Sequence, residues 1–406
     1  MSKHVRLTMA QALTRWLAMQ RAEVNGVELP YFAGMWAIFG HGNVAGMGEA
    51  LAGMEDALPT YRAHNEQGMA HAAIAFAKAS RRRRAMACTT SIGPGATNMV
   101  TAAALAHVNR LPVLFLPGDV YASRRPDPVL QQVEDFADAT VSANDCFRPV
   151  SRYFDRITRP NQIIDALPRA MTVLTDPALC GPVTLALCQD VQAEAFDYPE
   201  SFFAPRLWRP RRMRPDRAEL ATLVEAVRAA RAPLIVAGGG VLYSEAEAVL
   251  ADLAARTGIP IAETQAGKGA LAWDHRQALG SVGVTGTSAA NAAAEAADLI
   301  IGVGTRLQDF TTGSRRLFAG KRLIQINIAA PDAIKQGAEA VVGDAGETLE
   351  ALAEALADWQ VDAAWRNANR ATVAEWNAAW EVATAPSNAL PSDAQVIGAV
   401  WRQAGD

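Results

Sequence analysis

Long apolar runs, paired cysteines and an excess of charge of one sign are all missing from this sequence. No stretch approaches the roughly 18 consecutive apolar residues that a membrane-spanning helix needs, and the first ten residues hold charges but no apolar signal-peptide core. Lys and Arg number 38 against 42 Asp and Glu, a formal net charge of -4, which argues against a nucleic-acid or membrane-surface binder. The one basic block, Arg81 to Arg84, follows a predicted helix and reads as solvated side chains beside a helix C-terminus. The four cysteines, Cys88, Cys146, Cys180 and Cys188, have no CxxC spacing and no nearby histidine set. Neither a zinc site nor a redox pair is indicated, and reduced thiols in a cytoplasmic protein are the expectation.

The 406 residues are too many for a single ordinary core. Thr8-Met9-Ala10-Gln11 is a capping-box pattern and predicts a helix from about Thr8 to Gln20. A buried strand Trp36 to Phe39, the turn Gly40-His41-Gly42-Asn43 and a helix from near Gly46 come next. The same unit recurs as strand Ala85 to Thr90, turn Ser91-Ile92-Gly93-Pro94-Gly95, helix Ala96 to His107 and strand Pro112 to Leu116. Strand, glycine turn, helix, strand predicts a parallel sheet with ligand loops at its carboxyl edge. A strand Val183 to Leu187 closes a first domain, residues 1–190, and the proline-bearing stretch 191–215 reads as a linker. A second α/β domain, 216–360, follows, with strands Leu234 to Gly240, Ile259 to Glu263, Leu299 to Val303 and Leu323 to Ile328. The fold class is therefore α/β, with two consecutive doubly wound parallel-sheet domains. Residues 361–406 form a helical segment bearing Trp365, Trp376 and Trp380, then one further helix. That last helix reads as the opening of a third α/β domain that the chain does not contain.

Chemistry concentrates at Tyr61 to Ala73, an extended run that turns at Asn65 and opens an alanine-rich helix with Glu66 in its first turn. A carboxylate there faces free backbone N–H groups, and the small residues Gly68, Ala70, Ala72 and Ala73 suit close approach of a ring or another chain. A first-turn glutamate that serves only its helix is the plainer reading. Gly238-Gly239-Gly240 lacks the GxGxxG spacing, and no GxxxxGK[ST] motif occurs, so a tight strand-to-helix turn competes there with a nucleotide site.

Arg62 to Ala79, with Gly93-Pro94-Gly95-Ala96-Thr97-Asn98, resembles the pyrimidine-binding domain of thiamine diphosphate enzymes of the acetolactate synthase type. Gly302 to Arg306 and Thr312-Gly313 resemble their central domain. Within that family, Phe39 to Val44 and Leu116 to Gln132 are similar to the cyclic-diketone hydrolases of bacterial inositol catabolism. The resemblance implies thiamine diphosphate with Mg²⁺, the metal's ligands lying in the third domain and none in this chain. It implies that Glu66 hydrogen-bonds N1′ of the cofactor pyrimidine and favours the imino tautomer that takes the C2 proton. Gly42, Gly93, Pro94 and Asn98 would line the pyrimidine slot, and His41 and Gln131 would face the substrate's oxygens. For His41 a loop histidine satisfied by backbone is the alternative; His64 and His71 read as packing groups or as groups that support the site residues from behind. The activity implied is C–C hydrolysis of a trihydroxycyclohexanedione to 5-deoxy-glucuronate by a homodimer or homotetramer, without nucleic acid or membrane partners. A carboligase or decarboxylase of the acetolactate or glyoxylate type and a non-catalytic dimerisation module are the alternatives, and with a third domain lacking the chain by itself is expected to be inactive.

Overall fold

The computed structural model describes residues 3–404. The chain forms two compact units that divide between Arg211 and Arg212.

Six parallel strands make the main sheet of the first unit. Across it they run Thr60–Arg62, Phe32–Ala37, Ala85–Thr90, Leu114–Asp119, Val183–Cys188 and Tyr153–Ile157. Ala85–Thr90, Leu114–Asp119 and Val183–Cys188 are buried at every residue, as strands covered on both faces must be. Alternation along Leu114–Asp119 shows how. Leu114 and Leu116 join a core built with Met9 to Leu17 of the first helix and Ile163 to Leu174 of another, whereas Phe115 turns to the opposite face and meets Phe147 at 5.9 Å.

The first helix is Met9–Ala18, and its capping box is present in both directions, Thr8 with Gln11. It stops two residues short of the expected end because Gln20–Val24 is a strand, paired antiparallel with Val27–Pro30 and parallel with Arg206–Trp208. The expected strand Trp36 to Phe39 begins earlier, at Phe32, and ends at Ala37, since Ile38 already bonds back to Thr89 at the head of the glycine turn. The expected helix Ala96 to His107 is two pieces, Pro94–Thr97 and Val100–Asn109, broken at Asn98 and Met99.

The stretch 191–215 is not free of structure. Ala195–Pro199 pairs antiparallel with His4–Thr8, and Tyr198 and Phe203 are buried in the first core. Its prolines stand at strand ends and turns, where no ladder donor is lost. Arg82, Arg83 and Arg84 are half-buried, and each donates to a main-chain carbonyl, of Asn109, Glu23 and Pro30 respectively. The expectation of a solvated basic block is corrected: these guanidiniums cap neighbouring segments.

The second unit repeats the plan, with parallel strands in the order Ala278–Ser281, Ile261–Glu263, Pro233–Ala237, Leu299–Val303, Arg322–Asn327 and Glu339–Val342. Ile235, Ile301 and Ile324 point to one face and Leu234, Val236 and Ile300 to the other, each face with its own apolar cluster. Helix Ala363–Thr384 and helix Asp393–Ala404 end the described chain. No helix among the described residues is long and apolar enough to cross a membrane.

Candidate active site

In the first sheet the chain leaves strand Phe32–Ala37 toward one edge and returns on its other side as Ala85–Thr90. A reversal of strand order leaves a crevice beyond the carboxyl ends of the two strands, because their crossover helices lie on opposite faces. The loops that border it are Gly40 to Asn43 and Ser91 to Gly95.

Each loop is held by buried polar side chains. Asn43, almost fully buried, accepts from Gly40 N at 2.9 Å and donates to Ile38 O at 3.1 Å, closing the first turn on itself. Gln192 donates to Gly42 O at 2.6 Å and Leu187 O at 3.0 Å and accepts from Met47 N at 3.3 Å, tying this turn to the last strand of the sheet. Gly42 has a φ of +93°, and a Cβ there would stand 2.6 Å from Ile92 Cγ2, so the two loops meet through a bare backbone. Ile92 N in turn donates to the carbonyl of His41. The His41 ring is half-buried, and its Nε2 has no hydrogen-bond partner among the described residues.

Glu66 opens helix Glu66–Ala79, and Asn65 caps it by accepting from Gly68 N at 2.9 Å. Its carboxylate turns toward the second loop, where Asn98 Nδ2 donates to Oε2 at 2.8 Å. A Cβ on Gly95 would lie 3.3 Å from Glu66 Oε1, 2.3 Å from Ser91 Oγ and 2.9 Å from Thr90 Oγ1. Thr90 Oγ1 is itself buried and unpartnered among the described residues. Gly93, at φ +65°, starts the turn and Pro94 is the first residue of the short helix after it. A Cβ on Gly93 would strike the carbonyl oxygen of Gln131 at 2.0 Å, so only glycine lets the Gln131 segment lie on this turn. The side chain of Gln131 is exposed.

Glu66, Gly93, Pro94 and Asn98 thus come together around one turn, with Gly42 and the His41 backbone packed on its neighbour Ile92. The alanine face behind Glu66 is corrected in part. Ala70 and Ala73 are buried within their own domain, Ala72 is half-buried, and Gly68 alone of the four is exposed.

Several groups that shape the crevice escaped the sequence reading. Asp119, at 1% exposure, accepts from Arg156 Nε and Ser142 Oγ, both at 2.7 Å, and Arg156 also reaches Asp145. The carboxylate of Asp190 accepts from Ala122 N and Ser123 N. Together they anchor both ends of the segment that carries Gln131. Spacing gives no signal for such contacts; the cue available was a charged residue closing an otherwise apolar strand, as Asp119 does. Burial keeps the thiols protonated: Cys88 and Cys188 are pushed far above their usual range and Cys180 up to about 11. Among the described residues no cluster of His, Cys, Asp and Glu could hold a metal ion.

Residues 38–139, which contain the crevice, match the thiamine pyrophosphate enzyme N-terminal TPP binding domain, and residues 220–352 match the thiamine pyrophosphate enzyme central domain. The chain belongs to the thiamine pyrophosphate enzyme family. Among curated members it is similar to the 3D-(3,5/4)-trihydroxycyclohexane-1,2-dione hydrolase of Geobacillus thermodenitrificans (strain NG80-2), 52% identical over 355 residues, 87% of this chain and 56% of that one. The enzymes of the same name from Bacillus cereus (strain AH820) and Clostridium tetani (strain Massachusetts / E88) are 48% and 50% identical, over 93% and 87% of this chain and 58% and 55% of theirs. The chain spans a little over half the length of these relatives.

The crevice fits the pyrimidine end of the family's cofactor. A ring nitrogen wants a carboxylate at the rim, which Glu66 supplies, and the space before that carboxylate is kept clear of a side chain by Gly95, whereas the glycines at 42 and 93 make room for Ile92 and the Gln131 carbonyl. At the corresponding strand reversal of the central domain the two turns touch backbone to backbone: a Cβ on Gly240 would lie 2.5 Å from Gly304 Cα, and one on Gly238 2.5 Å from Gly304 O. The Gly238-Gly239-Gly240 turn serves close backbone packing.

Proposed function

We propose that this chain contributes the pyrimidine-binding and central domains of a thiamine diphosphate-dependent hydrolase that opens the ring of 3D-trihydroxycyclohexane-1,2-dione to 5-deoxy-glucuronate in inositol catabolism. The reading is carried by the Glu66 carboxylate, fixed by Asn98 beneath the Gly93 to Gly95 turn in a chain about half identical to hydrolases of that name.

In this proposal Glu66 would accept a hydrogen bond from the cofactor pyrimidine, and its charge would favour the tautomer of the ring that can act as a base. Gly42, Gly93 and Pro94 let the ring lie against backbone, and Asn98 keeps the carboxylate aimed. When bound, thiamine diphosphate supplies the electron sink that makes cleavage beside a carbonyl feasible. His41, with an unpaired ring nitrogen, and Gln131 hold the substrate's oxygens and limit the poses it can take. Mg²⁺ would accompany the diphosphate. The working assembly is a cytoplasmic homodimer or homotetramer in which a partner faces the Glu66 crevice.

The deciding experiment supplies the cyclic diketone to the full-length enzyme loaded with thiamine diphosphate and Mg²⁺ and follows the acid product by NMR. Ring opening that requires the cofactor supports the reading. Acyl transfer to a second keto acid, with the diketone untouched, would replace it by a carboligase.

A further inference from the structure

Strand Ala85–Thr90 ends in two threonines that the fold treats differently. Side chains alternate along a strand, and Ala85 and Ala87 belong to the core that includes the first helix. Thr89 shares their face: its hydroxyl donates to Leu116 O at 2.9 Å and accepts from Asn43 Nδ2 at 3.4 Å. Thr90 points to the other face. It is buried to 0% exposure, and its Oγ1 has no hydrogen-bond partner among the described residues. A hydroxyl closed off in this way has lost its hydration without regaining a bond, a situation that native folds seldom keep unless the group has a use.

The surroundings of that hydroxyl point to the use. The place where a Cβ on Gly95 would stand is 2.9 Å from Thr90 Oγ1, 2.3 Å from Ser91 Oγ and 3.3 Å from Glu66 Oε1. Three oxygens thus converge on one bare Cα, which only a glycine allows. The other carboxylate oxygen of Glu66, Oε2, already accepts from Asn98. Oε1 faces the same point as the Thr90 hydroxyl, and no bond joins the two in this arrangement of the side chains. A carboxylate oxygen has two lone pairs, so Oε1 has capacity for a ring nitrogen and a hydroxyl together. Thr90, Ser91 and Gly95 are all buried within the first unit, so the hydroxyl is enclosed by its own domain.

We propose that Thr90 is a positioning residue that acts through Glu66: its hydroxyl donates to Oε1, as Asn98 does to Oε2, when the pyrimidine site is occupied. The inference rests on the reading of Glu66 given under the proposed function. One donor on each oxygen fixes the direction of the carboxylate and favours its charged form, which is the form that reading requires. Until then the fold carries an unpaired hydroxyl, a loss of stability retained for function.

Thr90→Val in the full-length enzyme tests the proposal, because valine keeps the shape and suits a strand but removes the donor. Without cofactor, the melting midpoint of the variant should equal or exceed that of the wild type, since no bond is lost and an unpaired buried hydroxyl is removed. Loaded with thiamine diphosphate and Mg²⁺, the same variant should lose roughly tenfold or more in kcat, the scale of one hydrogen bond to a charged group, with KM for the cyclic diketone within about threefold. Thr90→Ser keeps the hydroxyl and should stay within about threefold of the wild-type kcat. In a Glu66→Gln background, Thr90→Val should cost less than about threefold further, because it acts through that carboxylate. Glu66→Gln alone tests the underlying reading: retention of more than about a tenth of the wild-type rate would remove that reading and this proposal together. With Glu66→Gln impaired as expected, four results would each overturn the role of Thr90 alone. They are a smaller loss in kcat for Thr90→Val, a lowered melting midpoint, no rescue by serine, and an undiminished loss in the Glu66→Gln background.

Discussion

The amide of Asn98 donates to Oε2 of Glu66 at 2.8 Å, joining a helix start to a glycine turn 32 residues further along the chain. A carboxylate at a helix N-terminus can swing among rotamers. This bond, with Gly95 beneath the other oxygen, leaves it one direction, and each consequence for catalysis follows from that constraint.

Replacing Glu66 by Gln keeps the shape and the acceptor for Asn98 but removes the charge. Turnover of the cyclic diketone by the full-length, cofactor-loaded enzyme should fall by about 10² to 10⁴, the usual worth of such proton-transfer assistance, with the melting midpoint unchanged. A variant retaining more than about a tenth of the wild-type rate would remove Glu66 from the proposed role.

Asn98→Ala should cost less. One hydrogen bond to a charged group is worth about 1.5–3 kcal/mol, so a drop in kcat/KM of roughly 10- to 100-fold is expected, steeper than any change in stability. Equal losses in kcat/KM and in folded fraction would show that Asn98 only packs.

For Gln192→Ala the readout is stability. The change strands the Gly42 carbonyl and the Met47 N–H in a buried place and leaves a small cavity, together about 2–4 kcal/mol. Urea denaturation should register it with an unchanged slope. A loss below about 1 kcal/mol would mean that water replaces the amide.

Gly93→Ala meets two obstacles at once, the left-handed φ and the Gln131 carbonyl 2.0 Å from the new Cβ. Strain of about 1–3 kcal/mol is expected, relieved by lifting the 120–142 segment. Limited proteolysis should then cut that segment faster than in the wild type, and unaltered cleavage would contradict the packing described.

Alkaline pH should destabilise the fold through its thiols. In Cys180 burial raises the folded pKa from the usual 9.0 to about 11, so its contribution is complete below pH 9 and is lost as pH rises from 9 through 11. The denaturation midpoint should fall across that window, and Cys180→Ala should flatten the fall. At pH 8 a disulfide reagent should modify exposed Cys146 first, with Cys88, Cys180 and Cys188 reacting only on unfolding.

The sequence by itself determined the two parallel α/β units, because runs such as Ala85 to Thr90 and Leu299 to Val303 are apolar throughout and the turns after them are glycine-rich. It determined the Thr8 capping box and the Asn65 cap, which depend on residues three apart. It also marked Glu66 and Gly93-Pro94-Gly95, since first-turn carboxylates and glycine turns have local signatures. Tertiary structure decided the rest. Where Val100–Asn109 starts depends on Asn98 turning to Glu66, and the end of the first helix depends on Gln20 joining a strand with Arg206. The contacts of Gln192 with Gly42, Asp119 with Arg156, and Asp190 with Ala122 and Ser123 span 150, 37, 68 and 67 residues, distances over which no periodicity carries information. The solvated reading of Arg82 to Arg84 failed for the same reason: whether a guanidinium meets water or a carbonyl is settled by which segment folds over it.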